Sequence, residues 1–434
     1  MDRRSRWLVA LVAIAAGIGA RPAFAAWPQF GGDALKQFRS GQQLTAPLGV
    51  LWKHAVAPPR TQEHRPGVVT DGSTVYFPNN RHLHALDLES GQLKWRAPAG
   101  DEPGLPYISA TPAFATPSAD QRLVLVPYSD GTLTAFDADT GEQRWAIKTG
   151  QSIRSSPTVL GRRVYFGSDD DYLRAADLVT GRLIWRTEKP LSDDVVSSPV
   201  VYQGSIFVLT SDMRMWSVAE DSGRLRWTRR LPGNSLNITP VVMDGRIWVP
   251  SGGSMFVFQP NGYGRPISMT LETDGIETDV ELTPLITPRG WCVADRNGNL
   301  CLYNFFGRLI WKRRLDGRVQ SPPILAGDTI YAGTNRGFMY AIQLTDGQIE
   351  WAYRFQPMPD VQNAYYCPVN RPIALDGGKL LVVTDDGALT AFAPNAPDAD
   401  PPSLAAPRPR LGAVINGFPP ITFSVYLWDE GYGV

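Results

Sequence analysis

The side chains able to hold a metal or move a proton are few in this sequence, and their spacing decides little. The four histidines are His54, His64, His82 and His84. His82 and His84 stand two apart on a predicted strand, so their rings share a face at a spacing that can chelate a metal. No cysteine or carboxylate beside them completes a ligand set, so a surface or inter-blade role is favoured. Asp169-Asp170-Asp171 fills a predicted hairpin turn. Glu277-Thr278-Asp279-Val280-Glu281 would place three acids on one face of an extended segment, where they repel unless solvated, paired or bridged by a cation. The cysteines, Cys292, Cys301 and Cys367, are too few for a disulfide framework. Cys292 and Cys301 flank Arg296-Asn297-Gly298-Asn299, read as a two-residue Asn-Gly hairpin. That register sets Cys292 opposite Tyr303 and Cys301 opposite Ala294, two thiols on one face at a diagonal unsuited to a bridge. Buried free thiols are expected. The chain shows no serine elbow, no phosphate-cradling glycine loop and no zinc spacing. Catalytic, cofactor-binding and metal-ligating residues are therefore assigned as none.

The elements carrying these residues repeat. Trp52, Trp95, Trp145, Trp185, Trp227, Trp311 and Trp351 each follow a short polar turn, at gaps of 43, 50, 40, 42, 84 and 40 residues. The gap of 84 is a double period, and the absent tryptophan falls in Arg265-Pro266-Ile267-Ser268-Met269. A period of about 43 fits one four-stranded propeller blade. Within a unit, Thr158-Val159-Leu160, Arg163 to Ser168, Tyr172 to Asp177 and Arg182 to Trp185 alternate β-formers with turn residues. The Trp52 segment lacks three strands before it, and the last unit, ending at Phe392, lacks a closing strand. Leu51-Trp52-Lys53 is thus predicted to complete the final blade, because an open ring would expose unpaired edges. The expected fold is an all-β, eight-bladed β-propeller. Seven blades is the alternative if the irregular unit at about 232–275 is not a full blade.

The repeat carries a motif, Ala-x-Asp-x-x-x-Gly-x-x-x-Trp, at Ala85, Asp87, Gly91, Trp95; at Ala135, Asp137, Gly141, Trp145; and at Ala175, Asp177, Gly181, Trp185. A looser copy is Ala341, Gln343, Gly347, Trp351. Bottom-up, Ala admits the neighbouring blade, Asp accepts turn amides, Gly allows the tight turn and Trp fills the inter-blade wedge. Trp95, Trp145, Trp185, Trp227, Trp311 and Trp351 are accordingly assigned to docking one blade on the next. The motif resembles the tryptophan-docking repeat of the PQQ-like, quinoprotein-type propeller family, closest in style to the BamB-type outer-membrane assembly lipoproteins. Trp27-Pro28-Gln29-Phe30-Gly31-Gly32 is similar to the segment that opens such propellers.

The resemblance covers roughly residues 27–394 and implies one of several functions. A quinoprotein dehydrogenase of alcohols or sugars would bind PQQ with Ca²⁺, held by carboxylates and amides, commonly beside a vicinal Cys-Cys pair. No adjacent cysteines occur here and no converging oxygen set stands out, so no cofactor is expected outside that alternative. The favoured reading is a non-catalytic scaffold for protein partners in the cell envelope, with outer-membrane protein assembly the task the resemblance implies. Leu191, Ser192, Asp193 and Asp194 match a Leu-Ser-Asp loop by which the family contacts its machine, and are the candidate partner contacts. A small-molecule or polysaccharide binder using the ring mouth is the second alternative.

The ends and the bulk composition set the context. Arg3, Arg4 and Arg6, the apolar stretch Trp7 to Gly19 and Ala23-Phe24-Ala25 read as an export signal over residues 1–26, by the general or the twin-arginine route. No cysteine follows it to take a lipid, so a periplasmic or secreted monomer is expected. Residues 395–417 read as a Pro/Ala-rich linker and 418–434 as an aromatic tail. Lys+Arg and Asp+Glu both number 42, which leaves no basic footprint for nucleic acid.

Overall fold

A computed structural model describes residues 26–56, 65–101, 103–233, 238–270, 282–295, 297–356 and 367–396. The export-signal residues before 26, the acidic run 277–281, His64 and the linker and tail beyond 396 lie outside them. The strands form eight sheets, each of four sequential antiparallel strands except where closure or an added strand intervenes. The seven-blade alternative is excluded. Blade 3 is typical, with strands Thr158–Leu160, Arg163–Gly167, Leu173–Asp177 and Leu183–Arg186 running from the channel outward. Second and third strands are buried almost throughout because a blade has neighbours on both faces. Fourth strands alternate, exposing Leu183 while burying Trp185.

Closure follows the sequence expectation. Strand Leu48–Ala55 pairs antiparallel with Ala388–Pro394, placing Trp52 opposite Ala391 and completing blade 8. Blade 5 ends in Ile267–Thr270, where Ile267 occupies the docking-tryptophan position opposite Val257. In blade 3 the outer strand bulges between Leu183 and Trp185, whereas the blade 5 register is unbroken. The seam that Trp would fill is packed instead by Trp248 and Phe305, with ring centroids 5.8 Å apart.

The sequence did not reveal the path of the N-terminal segment. Residues 27–40 run along the inner edges of the blades. Amides of Thr70, Phe114, Val201, Val242 and Leu325 donate to the carbonyls of Trp27, Pro28, Ala34, Leu35 and Phe38 at 2.6–3.2 Å. Val159 donates to the Gln29 side chain at 3.0 Å. Arg39–Ser40 adds a parallel strand to Ile324–Ala326 in blade 7. This strap satisfies inner-edge donors that would otherwise face the channel.

One local reading is corrected. Cys292 pairs with Leu302 and Cys301 with Val293, one residue off the expected register. The turn holds three residues between Asp295 and Asn299, with Gly298 at φ +81° and its amide donating to the Asp295 carbonyl. The extra residue swaps faces, since side chains alternate along a strand. Cys292 joins the core shared with blade 7, and Cys301 the core shared with blade 5.

Candidate functional site

Four-stranded antiparallel blades put two loop sets on opposite faces of the disc. The face carrying the second-to-third-strand turns and the inter-blade connections also opens into the channel. Here the Asp169-Asp170-Asp171 turn of blade 3 meets the 190–196 connection to blade 4. The Leu191 amide donates to the Asp171 carbonyl at 2.8 Å, and the Ser211 amide to the Asp194 carbonyl at 3.0 Å. Carboxylate oxygens of Asp171, Asp193 and Asp194 then lie within 4.8 Å of one another.

The three turn acids have different surroundings. Burial alone would raise Asp170, but the Arg174 guanidinium holds it below the usual carboxylate range. Burial outweighs the Arg154 ion pair at Asp169 and pushes it up. Burial, then the charges of Asp194 and Asp193, push Asp171 up as well. Arg154 also pairs with Asp194, tying turn to connection.

The four residues of the candidate contact loop divide by exposure. Leu191, 8% exposed, packs into the core between blades 3 and 4 and anchors the loop. Ser192 is exposed, with its hydroxyl 3.2 Å from that of Thr210, and Asp193 and Asp194 are half-buried at the surface. Sequence position alone did not separate the anchor from the displayed residues.

The adjoining channel holds a cavity of about 380 Å³, lined by Phe30 of the strap, Arg65, Arg154 and a ring of hydroxyls. The hydroxyls of Ser109, Thr111, Ser197, Ser198 and Thr239 are engaged with backbone groups, whereas buried Ser321 Oγ has no hydrogen-bond partner. Amides of Gly67, Ser156, Ser198 and Thr239 donate to the side chains of Thr111, Ser198, Thr239 and Thr283 at 2.9–3.2 Å, each reaching the next blade. The signal was present as a Ser/Thr-Pro pair before most inner strands, such as Thr111-Pro112 and Ser156-Pro157. No described residue lining the cavity is an aspartate or glutamate. A quinone–Ca²⁺ pair needs carboxylate as well as amide oxygens, and this wall, which offers the amides of Gln320 and Asn370 but no carboxylate, does not fit it on that count.

The assigned tryptophans sit at the blade seams. Indole Nε1 groups of Trp95, Trp145, Trp185, Trp227 and Trp311 donate to the carbonyls of Ala138, Leu178, Glu220, Pro260 and Leu344 at 3.0–3.1 Å. Trp52 does the same to Leu88 at 3.0 Å. Trp351 packs instead edge-on against Phe392. His82 and His84 lie at the blade 8–blade 1 seam near His54, with centroids 6.4 Å (His82–His84) and 6.2 Å (His54–His84) apart. The His54 Nε2 and His84 Nδ1 atoms are buried without a hydrogen-bond partner.

Known proteins share this architecture. The family model described as outer membrane protein assembly factor BamB matches residues 83–193, 129–353 and 286–396. BamB of Moranella endobia is 27% identical over 258 residues, 54% of this chain and 66% of that protein. Yersinia pestis BamB is 25% identical over 325 residues, 68% of this chain and 79% of that protein. In structure, BamB from Moraxella catarrhalis superposes with TM-score 0.59 at 16% identity, over 80% of this chain and 98% of that one. A europium-containing methanol dehydrogenase gives 0.67 at 14% identity, over 86% and 98%, so the fold alone does not separate scaffold from enzyme. The family-model match continues without a break from residue 83 to 396, through all but the first strands of the ring, and the chain belongs to the PQQ-like propeller family of outer membrane protein assembly factor BamB.

Proposed function

We propose that this protein is a non-catalytic, periplasmic scaffold that binds protein partners during outer-membrane protein assembly, working without a cofactor. The observation that carries the reading is the displayed loop beside the ring mouth. Ser192, Asp193 and Asp194 stand at the surface on a base fixed by buried Leu191, and Asp171 joins them. A pre-ordered loop loses little entropy on binding, and three clustered carboxylates select a basic surface. The channel wall supports the same reading, because most of its hydroxyls are engaged with backbone groups.

A photo-crosslinker at Ser192 tests it. The expected result is capture of an outer-membrane assembly protein from cell envelopes, lost when Asp193→Lys and Asp194→Lys are combined. A crosslinker at exposed Leu160, on the opposite face, should not capture that protein. Equal capture from both positions, or dye-linked alcohol oxidation after adding PQQ and Ca²⁺, would overturn the proposal.

A further inference from the structure

The opposite face of the disc carries the first-to-second-strand and third-to-fourth-strand turns, and one sector of it is unlike the rest. In blades 1, 2 and 3 the motif aspartates Asp87, Asp137 and Asp177 pair with Lys94, Arg144 and Arg162. Blades 4, 5 and 6 carry Ala219, Gln259 and Asn304 at that position, each accepting the amide of its turn glycine as the aspartates do. Arg224, Arg265 and Arg308 in their turns are exposed, as are Arg246 and Arg289 in the neighbouring turns of blades 5 and 6. Among the described residues none of these five arginines makes an ion pair or a side-chain hydrogen bond.

Two aromatic side chains stand in the same sector. Tyr263 is 80% and Phe306 85% exposed, in equivalent turns of neighbouring blades. Sibling turns carry Ser90-Gly91, Thr140-Gly141, Thr180-Gly181 and Ser222-Gly223, small polar residues at the tip. Exposed Leu93, Leu183 and Leu225 recur two residues before the docking tryptophan and are not peculiar to this sector. The aromatic tips are, and the exposed arginines without an ion pair, which elsewhere include Arg182 of blade 3, are gathered here five together.

We infer that this sector, centred on Tyr263 and Phe306, docks the protein on an anionic lipid surface. Aromatic rings on projecting turns enter the headgroup–acyl boundary, while arginines spread over three blades meet a continuous plane of phosphates. Among the described residues the five arginines outnumber the exposed acids of the same turns, Asp221 and Asp244, and a net positive charge spread over three blades matches a plane better than it matches one acidic group. The inference does not rest on the partner-binding loop, which lies on the other face.

Co-sedimentation of the full chain with phosphatidylethanolamine/phosphatidylglycerol vesicles, against phosphatidylcholine vesicles, tests it. Binding is expected only to the anionic vesicles, weakening as salt rises. Tyr263→Ser with Phe306→Ser, and separately Arg265→Ser with Arg308→Ser, should each lower it about tenfold. All four positions are exposed, so thermal melts of the variants should match the parent. Absence of binding, equal binding to phosphatidylcholine, or variants that bind like the parent would each overturn the inference. Absence of binding would leave the face to an acidic protein surface instead.

Discussion

The indole of Trp145 lies against the backbone of Gly181 in the next blade, so closely that a Cβ on Gly181 would sit 2.7 Å from the ring. Gly91, Gly141, Gly223 and Gly347 meet Trp52, Trp95, Trp185 and Trp311 in the same way. The motif glycine therefore has two tasks. It adopts φ +69° at residue 181, and it clears the surface on which the preceding tryptophan lies.

Gly181→Ala is expected to destabilise by roughly 2–4 kcal/mol, the cost of a left-handed Ala plus overpacking. Gly161 has a similar φ of +60° but open space around its Cβ. Gly161→Ala should cost about 1–2 kcal/mol. Urea titrations of the two variants separate packing from backbone strain. Equal losses would show that the Trp145 contact adds nothing.

His84 predicts acid sensitivity at the closing seam. Burial first, then the neighbouring His54 and His82, lower its pKa from 6.5 to about 4. The folded state binds fewer protons than the unfolded state between those values, so stability is full above about pH 6.5 and falls as pH drops towards 4. The loss is of order 2–3 kcal/mol. His84→Gln should flatten the melting temperature across that window. An unchanged slope would remove His84 as its source.

Lys36 in the strap is fully buried, and its ammonium has no hydrogen-bond partner. Burial lowers its pKa to about 7, against a partial opposing effect of Asp33. The folded state disfavours the proton, so stability should rise with pH between about 7 and 10.5. Lys36→Met should stabilise the protein at neutral pH by a few kcal/mol. Denaturant titration at pH 7 checks the sign, and a destabilised variant would show that Lys36 has an ion or water partner.

The thiols of Cys292, Cys301 and Cys367 are buried, and burial raises all three above the usual thiol range. A maleimide at pH 7 should label none of them until denaturant is added. Rapid labelling of Cys301 in the native protein would point to local opening of the blade 5–blade 6 seam, where docking tryptophan is absent.

Blade number, strand order and ring closure were legible because they rest on local rules. Period-2 alternation, turn glycines and a tryptophan every 40-odd residues need no distant contact to be recognised. Ring closure through Leu51-Trp52-Lys53 followed from counting strands, since a propeller cannot leave an edge open. Four features depended on the tertiary structure. A single extra turn residue put Cys292 and Cys301 on opposite faces of the blade. Leu191 was turned inward by the packing of two blades, and Asp171 was brought to Asp193 and Asp194 across a seam. The strap from Trp27 to Ser40 reached strands as distant in sequence as Leu325. Such pairings are set by the closed ring, which brings together groups hundreds of residues apart. The sequence by itself determined a repeat that builds eight blades; only closure of the ring decided which loop residues are anchors and which face outward.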